Sequence, residues 1–199
     1  MALVDGGTLV PNAGNYFIHR AGTTVDAIPE DLTDISALES AGWENIGHTD
    51  IEQVISFASE GGEITVLGTL QNPNLRTRVA PRSESFTINL QQWTLDALKL
   101  YYGDNAVELD GGRFLGVPTA PQATEASFLA VYVDAQSGAF GIFAQRASFL
   151  RGDNPEIDDT EGFASLPLQI TPLVVSGNQY AYAVTPLGGG SGEGEGEGE

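Results

Sequence analysis

Short alternating runs of apolar and polar residues dominate the chain and predict β-strands. In such a run every second side chain faces the same side of the strand, so one face can be buried while the other stays solvated. Glycine and proline, which favour turns, separate the runs. The strands predicted in this way cover residues 15–20, 43–49, 63–70, 85–90, 126–134, 139–144, 163–171 and 179–185.

Two of these runs have a clear polar face. In residues 63–70, Ile64 and Val66 fall on one face. In residues 85–90, the side chains predicted to face inward are Phe86, Ile88 and Leu90. The polar positions that alternate with them are Glu63, Thr65, Thr69, Ser85, Thr87 and Asn89. Both strands are therefore predicted to have one solvated face.

The second half of the chain predicts a buried hairpin. Residues 126–134 are apolar on both faces, which is typical of a central strand, and residues 136–138 are predicted to turn it into 139–144. Pro167 has no N–H to donate, so residues 163–171 are predicted to form an edge or bulged strand. In the last run the side chains predicted to face inward are Tyr180, Tyr182 and Val184.

One segment, at about residues 94–102, keeps a helical period. Thr94 is suited to the N-cap, Asp96 in the first turn complements the helix dipole, and Gly103 is a C-terminal stop. A helix this short is marginal alone, so it must dock on the sheet. The residues predicted to dock it are Trp93, Leu95, Leu98 and Tyr102.

Two long connections carry opposite charge. Residues 71–84 contain two prolines and the three arginines Arg76, Arg78 and Arg82. Residues 151–162 are strongly acidic. Connections of this length are usually functional or disordered, so their opposite charges predict a pair of contact surfaces.

Composition bounds the fold and its partners. About 187 residues suffice for one mainly β domain, predicted at 1–187, whereas 188–199 (GGGSGEGEGEGE) form an acidic, low-complexity tail. With a formal net charge of −19 and only eight basic residues, the chain lacks a general phosphate-binding face. This charge disfavours stable DNA binding and leaves transient contact open. The longest apolar run, residues 128–133, is too short to span a membrane.

The sequence contains no specific motif for catalysis or metal binding. No cysteine is present, and His19 and His48 have no evident second ligand or orienting partner. The acidic run after Asp153 has the wrong spacing for a calcium loop, with Pro155 at a would-be ligand position. The sequence therefore predicts no metal, no cofactor and no enzyme, although carboxylates alone leave an acidic glycosidase open.

A monomeric binding module remains an alternative. It would be a carbohydrate-binding, virion decoration or receptor-binding β-sandwich, with Trp43, Tyr101 or Tyr102 as a sugar platform. Trp43 and Trp93 are predicted to be buried anchors of the core rather than platforms for a ligand. The arginines of 71–84 could bind phosphate, but an acidic surface on another copy of this chain is favoured.

Several segments, taken in order, resemble one family. They are the AGTT turn at 21–24, AGWENIGHT at 41–49, EITVLGTL at 63–70 and SFTINLQQWTLDALKLYYG at 85–103. Over residues 1–187 the chain resembles the major tail tube proteins of long, non-contractile-tailed bacteriophages that infect actinobacteria. The resemblance implies a β-sandwich or barrel with one flanking helix and long inter-ring loops.

The resemblance also implies function and partners. Subunits would form stacked hexameric rings around a channel through which genomic DNA is ejected, in a virion tail assembled in the host cytoplasm. The implied partners are further copies, a tape-measure protein, a tail terminator and a distal tail or baseplate protein. Candidate inter-ring contacts are Arg76, Arg78, Arg82, Asp153, Glu156, Asp158 and Asp159. Candidate lumen-facing residues are Glu63, Thr65, Thr69, Thr87 and Asn89.

Overall fold

The computed structural model describes residues 8–134, 138–157, 160 and 162–186, which form a mainly β protein. The strands, numbered in chain order, are β1 (Pro11–His19), β2 (Glu44–Asn45), β3 (Ser56–Gly61), β4 (Ile64–Leu67), β5 (Arg76–Val79), β6 (Arg82–Leu90), β7 (Val107–Leu109), β8 (Phe114–Gly116), β9 (Thr124–Asp134), β10 (Gly138–Arg151), β11 (Leu166–Pro172) and β12 (Ala183–Val184). The helices are α1 (Ile35–Ser40) and α2 (Leu95–Tyr102).

The main sheet is antiparallel and has the order β2-β1-β9-β10-β11-β6-β3, with β12 also paired to β10. The segment that contains β2 closes it. Ile46 N–H donates to the Tyr16 carbonyl of β1, whereas Thr49 forms an antiparallel bridge with Leu90 of β6. A single short segment therefore joins the two sides of the curled sheet, as in a small barrel.

The interior of this barrel is an apolar and aromatic core. The Phe128 ring of β9 lies 6.4 Å from the ring of Tyr16, 6.2 Å from that of Phe86 and 6.0 Å from that of Phe149, between centroids. These residues belong to β1, β6, β9 and β10, so the core ties opposite walls together. Phe86, Ile88 and Leu90 are fully buried, which confirms the inward face predicted for β6.

The outer face of β1, β9 and β10 is also apolar, and the segment with α1 covers it. Trp43 is buried there against Phe143, with 6.2 Å between ring centroids, beside Leu38 of α1. Because β9 packs against a cluster on each face, its prediction as a central strand is confirmed. Helix α1 was not predicted, since its six residues are too few to show a period.

Helix α2 agrees with its predicted bounds. The Thr94 side chain accepts from Ala97 N–H, and Gly103 ends the helix with a φ of 113°. The mainly β fold with a flanking helix is confirmed. No helix in the described ranges has both the length and the apolar character needed to cross a membrane.

Other strand predictions need correction. Strand β11 is internal, between β10 and β6, although it contains Pro167. The proline is tolerated because it lies opposite Gly152, just past the end of β10, where its carbonyl still accepts the Gly152 N–H. The last run is strand only at β12, and Tyr180 and Val184 are about half exposed rather than inward.

Candidate assembly surfaces

A projecting two-stranded hairpin, residues 62–81, is the most exposed feature of the described chain, and we call it the arm. Its strands β4 and β5 pair only with each other, and every residue in them is exposed. The prediction of a long loop at 71–84 is therefore wrong, because only residues 68–75 connect β4 to β5. Pro73 and Pro81 concealed the strand between them in the sequence, although the alternation in RTRV would have indicated it.

The arm continues the pairing of β3 with β6 through a bend. Gly61 and Gly62 have positive φ values of 82° and 72°, which glycine adopts without steric cost. Gly62 N–H donates to the Pro81 carbonyl and Ala80 N–H to the Glu63 carbonyl, so the register is kept. A Cβ at residue 61 would lie 2.4 Å from the Pro81 oxygen, so only glycine fits there.

One face of the arm is apolar and uncovered. Ile64 pairs with Val79 and Val66 with Thr77, which places these side chains on one face of the ribbon. Ile64 is 69% exposed, Val66 51% and Val79 62%. Branched apolar side chains clustered on one exposed face are typical of an interaction surface.

The opposite face of the arm is basic. Arg76 pairs with Leu67 and Arg78 with Thr65, and both arginines are exposed. Neither has an ion-pair partner within the residues that the structure describes. At the base of the arm, the guanidinium of Arg82 lies 3.9 Å from the carboxylate of Glu84. The predicted basic surface is thus present, on a strand ribbon rather than a loop.

The candidate lumen residues are divided between two places. Glu63, Thr65 and Thr69 lie on the arm, where both faces are exposed, so the single solvated face predicted for residues 63–70 is wrong for the subunit. Thr87 lies on the outer face of the barrel. Asn89 is only 6% exposed, and its side-chain N–H donates to the side-chain oxygen of Gln53 at 2.6 Å. The prediction that Asn89 faces solvent is therefore wrong.

The outer face of β3, β6 and β11 forms a polar surface, which we call the polar wall. Its side chains alternate with buried core residues, and they are Ser56, Ser85, Thr87, Gln169 and Thr171. The exposed Glu60 of β3, which pairs with Ser83, also lies on this face near the arm. Ser56 pairs with Thr87, which in turn pairs with Gln169, and the Gln169 amide donates to Ser85 at 3.4 Å. Among the residues that the structure describes, β3 pairs only with β6, so its other edge is free beside this wall.

An apolar pocket of about 560 Å³ lies outside the barrel, on the outer face of β9 and β10. Leu32, Leu129 and Phe143 form its buried floor, whereas Val25 and Val184 are about half exposed at its mouth. Two carboxylates, Asp26 and Glu30, complete the lining. No local sequence pattern indicates this pocket, because its walls come from segments that lie far apart in the chain.

A second small hairpin, formed by β7 and β8, also presents apolar side chains. Leu109 pairs with Phe114, and Val107 lies on the same face. All three are about half exposed or more. The guanidinium of Arg113 lies 5.4 Å from the centre of the Phe114 ring.

The acidic connection 151–162 is only partly described. Asp153 and Glu156 are exposed, and the Asp153 carbonyl accepts a hydrogen bond from the Tyr101 hydroxyl. Glu156 bridges to Ser165 through backbone and side-chain hydrogen bonds. Asp158 and Asp159 lie outside the described residues.

The docking face of α2 differs from the prediction. The buried side chains are Ala97, Leu100 and Tyr101, with Leu98 and Tyr102 partly buried beside them. Apolar residues surround most of this helix, so periodicity alone placed the face wrongly. Leu95 is half-buried, and Trp93 is 40% exposed with its indole N–H donating to the Ala164 carbonyl, so Trp93 is not a core anchor.

The remaining candidate residues are the aromatics suggested for sugar binding and the two histidines. Trp43 is confirmed as a core anchor, and Tyr101 is fully buried, which removes two of the three aromatics suggested for a sugar platform. Burial raises the pKa of Tyr101 to about 12. His19 packs against Trp43, whereas His48 is exposed. Within the described ranges, no three His, Cys, Asp or Glu side chains are grouped as metal ligands.

Comparison with known proteins gives the family. A family model described as phage tail tube protein matches residues 1–186. The chain is 34% identical over 182 residues to the major tail protein Gp23 of Mycobacterium phage L5, a match that covers 87% of this chain and 88% of that protein. The chain therefore belongs to the phage tail tube protein family and is a structural component of the virion.

Proposed function

We propose that this tail tube protein assembles into hexameric rings that stack into a conduit for genomic DNA. The observation that carries the proposal is the arm, a projecting ribbon with one apolar and one basic face, both uncovered in the subunit. Apolar side chains that the described part of the subunit leaves exposed are stabilised when a neighbouring copy covers them. The sixfold number comes from the family resemblance.

The open edge of β3 supports closure into a ring. An edge strand with free N–H and C=O groups pairs readily with another chain. A ring uses a heterologous contact, in which one surface of each copy meets a different surface of the next. The β3 edge, the arm and the apolar face of the β7–β8 hairpin provide several such surfaces.

The polar wall is suited to line the channel. It extends across β3, β6 and β11 with hydroxyl and amide side chains, the carboxylate of Glu60 and no cation, and Thr87 lies at its centre. DNA binds proteins chiefly through basic groups that replace its counterions, so this wall gives passing phosphates no strong contact. Because charges are screened over about 8 Å at physiological salt, the nearest wall matters more than the chain's net charge.

Contacts between rings are proposed to join basic and acidic surfaces. Arg76 and Arg78 of the arm, with Arg82 at its base, would face carboxylates of another copy. The sequence-based candidate for those carboxylates is the connection with Asp153, Glu156, Asp158 and Asp159. A tape-measure protein, a tail terminator and a distal tail or baseplate protein are the further partners that the family resemblance suggests.

Electron microscopy of the concentrated purified protein tests this function. We expect stacked rings with sixfold symmetry and a channel that admits double-stranded DNA. A channel lined by arginines, or a ring too narrow for a duplex, would contradict the conduit. A protein that stays monomeric at all concentrations and binds glycans would instead support the carbohydrate-binding module.

A further inference from the structure

The arm and the apolar pocket have complementary surfaces. We propose that the arm of one subunit places Ile64, Val66 and Val79 in the pocket of the next copy, with Arg76 and Arg78 reaching the carboxylates at its mouth. This inference rests on the proposed self-assembly and identifies the surface that receives the arm. It replaces the acidic connection at 151–162 as the arm's partner.

The shapes of the two surfaces agree. The arm is a narrow ribbon with branched aliphatic side chains on one face, and the pocket is a concavity with an apolar floor at Leu32, Leu129 and Phe143. Its volume of about 560 Å³ is within the range of roughly 300–1,000 Å³ typical of pockets that bind small molecules, so it has room for aliphatic side chains. Insertion would remove apolar surface from water on both copies.

The charges of the two surfaces also agree. The arm carries two arginines and one glutamate, so it is basic in a chain of net charge −19. The pocket is lined by Asp26 and Glu30, and Asp31 follows directly. Neither Asp26 nor Glu30 has an ion-pair partner in the described part of the chain. Long arginine side chains can reach such a rim while the opposite face of the ribbon is buried.

In the described part of the chain the pocket mouth is open, with Val25 and Val184 about half exposed there. Its exposed wall is β12, which is held to β10 by two residue pairs and by hydrogen bonds between Thr185 and Gly141. Residues 188–199 follow in the sequence, but they contain no apolar side chain and four glutamates. That composition neither fills an apolar floor nor suits an acidic rim, so a second copy is the better occupant.

The contact is heterologous, and this property makes it suitable for a tube. The arm and the pocket are different surfaces of one subunit, so each copy can donate one arm and receive another. Such contacts continue from copy to copy instead of ending at a dimer. The arm–pocket contact therefore propagates assembly.

Disulfide trapping tests the contact directly, because the natural chain has no cysteine. The double variant Val66→Cys/Val25→Cys would be concentrated, oxidised and separated on a non-reducing gel. We expect a ladder of covalent multimers, since both cysteines are on every chain. Mixing the two single variants should give dimers only. The pair Val66→Cys/Ile51→Cys, in which Ile51 is exposed elsewhere, is the matched control.

Two other pairs identify rival arrangements. A ladder from Val66→Cys/Glu156→Cys, with none from the pocket pair, would assign the arm to the acidic connection and overturn the inference. Cross-linking of Leu3→Cys to Val25→Cys would assign the pocket to the N-terminal residues, with the same consequence. A pocket pair that forms only an intramolecular disulfide would also overturn it.

Charge exchange provides a second measurement that needs no disulfide geometry. Arg78→Glu should reduce the assembled fraction at least tenfold, and Arg78→Glu/Glu30→Arg should restore most of it. If the unmodified chain forms tubes but neither trapping nor charge exchange succeeds, the pocket inference fails and the proposed function stands. If the unmodified chain forms no rings at all, the proposed function itself fails.

Discussion

Ile64 lies directly opposite Val79 across the two strands of the arm, and the subunit covers neither side chain. Cross-strand pairs of branched residues stabilise a ribbon, but this pair also exposes apolar surface to water. Its position on a projecting hairpin therefore separates two effects of mutation. Changes here should alter assembly far more than the stability of the subunit.

The first prediction concerns this pair. The variant Ile64→Thr/Val79→Thr keeps β-branched side chains and removes much of the apolar surface. We expect loss of assembly, measured by sedimentation and electron microscopy, with the free energy of subunit unfolding changed by about 0.5 kcal/mol or less. Ile51→Thr, at an 88% exposed isoleucine outside the arm, should assemble normally. Equal loss in both variants would contradict a specific role for the arm.

The second prediction concerns the arginines of the arm. Arg76→Glu/Arg78→Glu should block tube growth because it reverses the charge of a surface that meets carboxylates. Arg82→Glu should have a smaller effect, since Arg82 already lies near Glu84. Growth of the unmodified tube, followed by light scattering, should slow as salt is raised, because screening weakens exposed charge pairs. Unchanged polymerisation of the double variant would remove the proposed electrostatic role.

The third prediction concerns the barrel core. Phe128 contacts the rings of Tyr16, Phe86 and Phe149, so Phe128→Ala would leave a cavity between opposite walls. We expect a loss of about 3–5 kcal/mol in the free energy of unfolding, measured by urea denaturation. Phe163→Ala, at a phenylalanine that is 83% exposed, is the control and should change it by about 0.5 kcal/mol or less.

The fourth prediction concerns alkaline pH. Burial raises the pKa of Tyr16, and it raises the pKa of Tyr101 to about 12. Above pH 10 the unfolded chain loses these protons while the folded chain keeps them, so the free energy of unfolding should fall between about pH 10 and about pH 12. Urea denaturation at several pH values measures the slope. Tyr101→Phe should reduce that slope, and an unchanged slope would show that Tyr101 does not contribute to it.

The core strands were predictable because their side-chain pattern has one interpretation. Residues 126–134 are apolar on both faces, and each face contacts its own cluster. Phe86, Ile88 and Leu90 alternate strictly, and all three are buried. The cap and stop of α2 were equally clear, because Thr94 and Gly103 act through local backbone geometry.

The errors arose where distant segments decide burial. The alternation predicted that Asn89 faces solvent, but Gln53, from the connection between β2 and β3, covers it. The first strand of the arm, β4, lies within the strand predicted at 63–70, but β5 resembled a loop because two prolines flank it. Both prolines lie outside β5, so its ladder does not need them as donors. The pocket combines residues near positions 28, 141 and 184, so no local pattern could indicate it.

The bend at Gly61 and Gly62 has a consequence for a structure made of many identical parts. A small variation in the direction of each arm would add up over successive copies, and a long assembly would curve or lose its regular step. At this bend the backbone has little freedom, because Gly62 N–H donates to the Pro81 carbonyl and, one residue further along, Ala80 N–H donates to the Glu63 carbonyl. If the arm joins neighbouring copies as we propose, these two residues without side chains would help to keep a long tube straight.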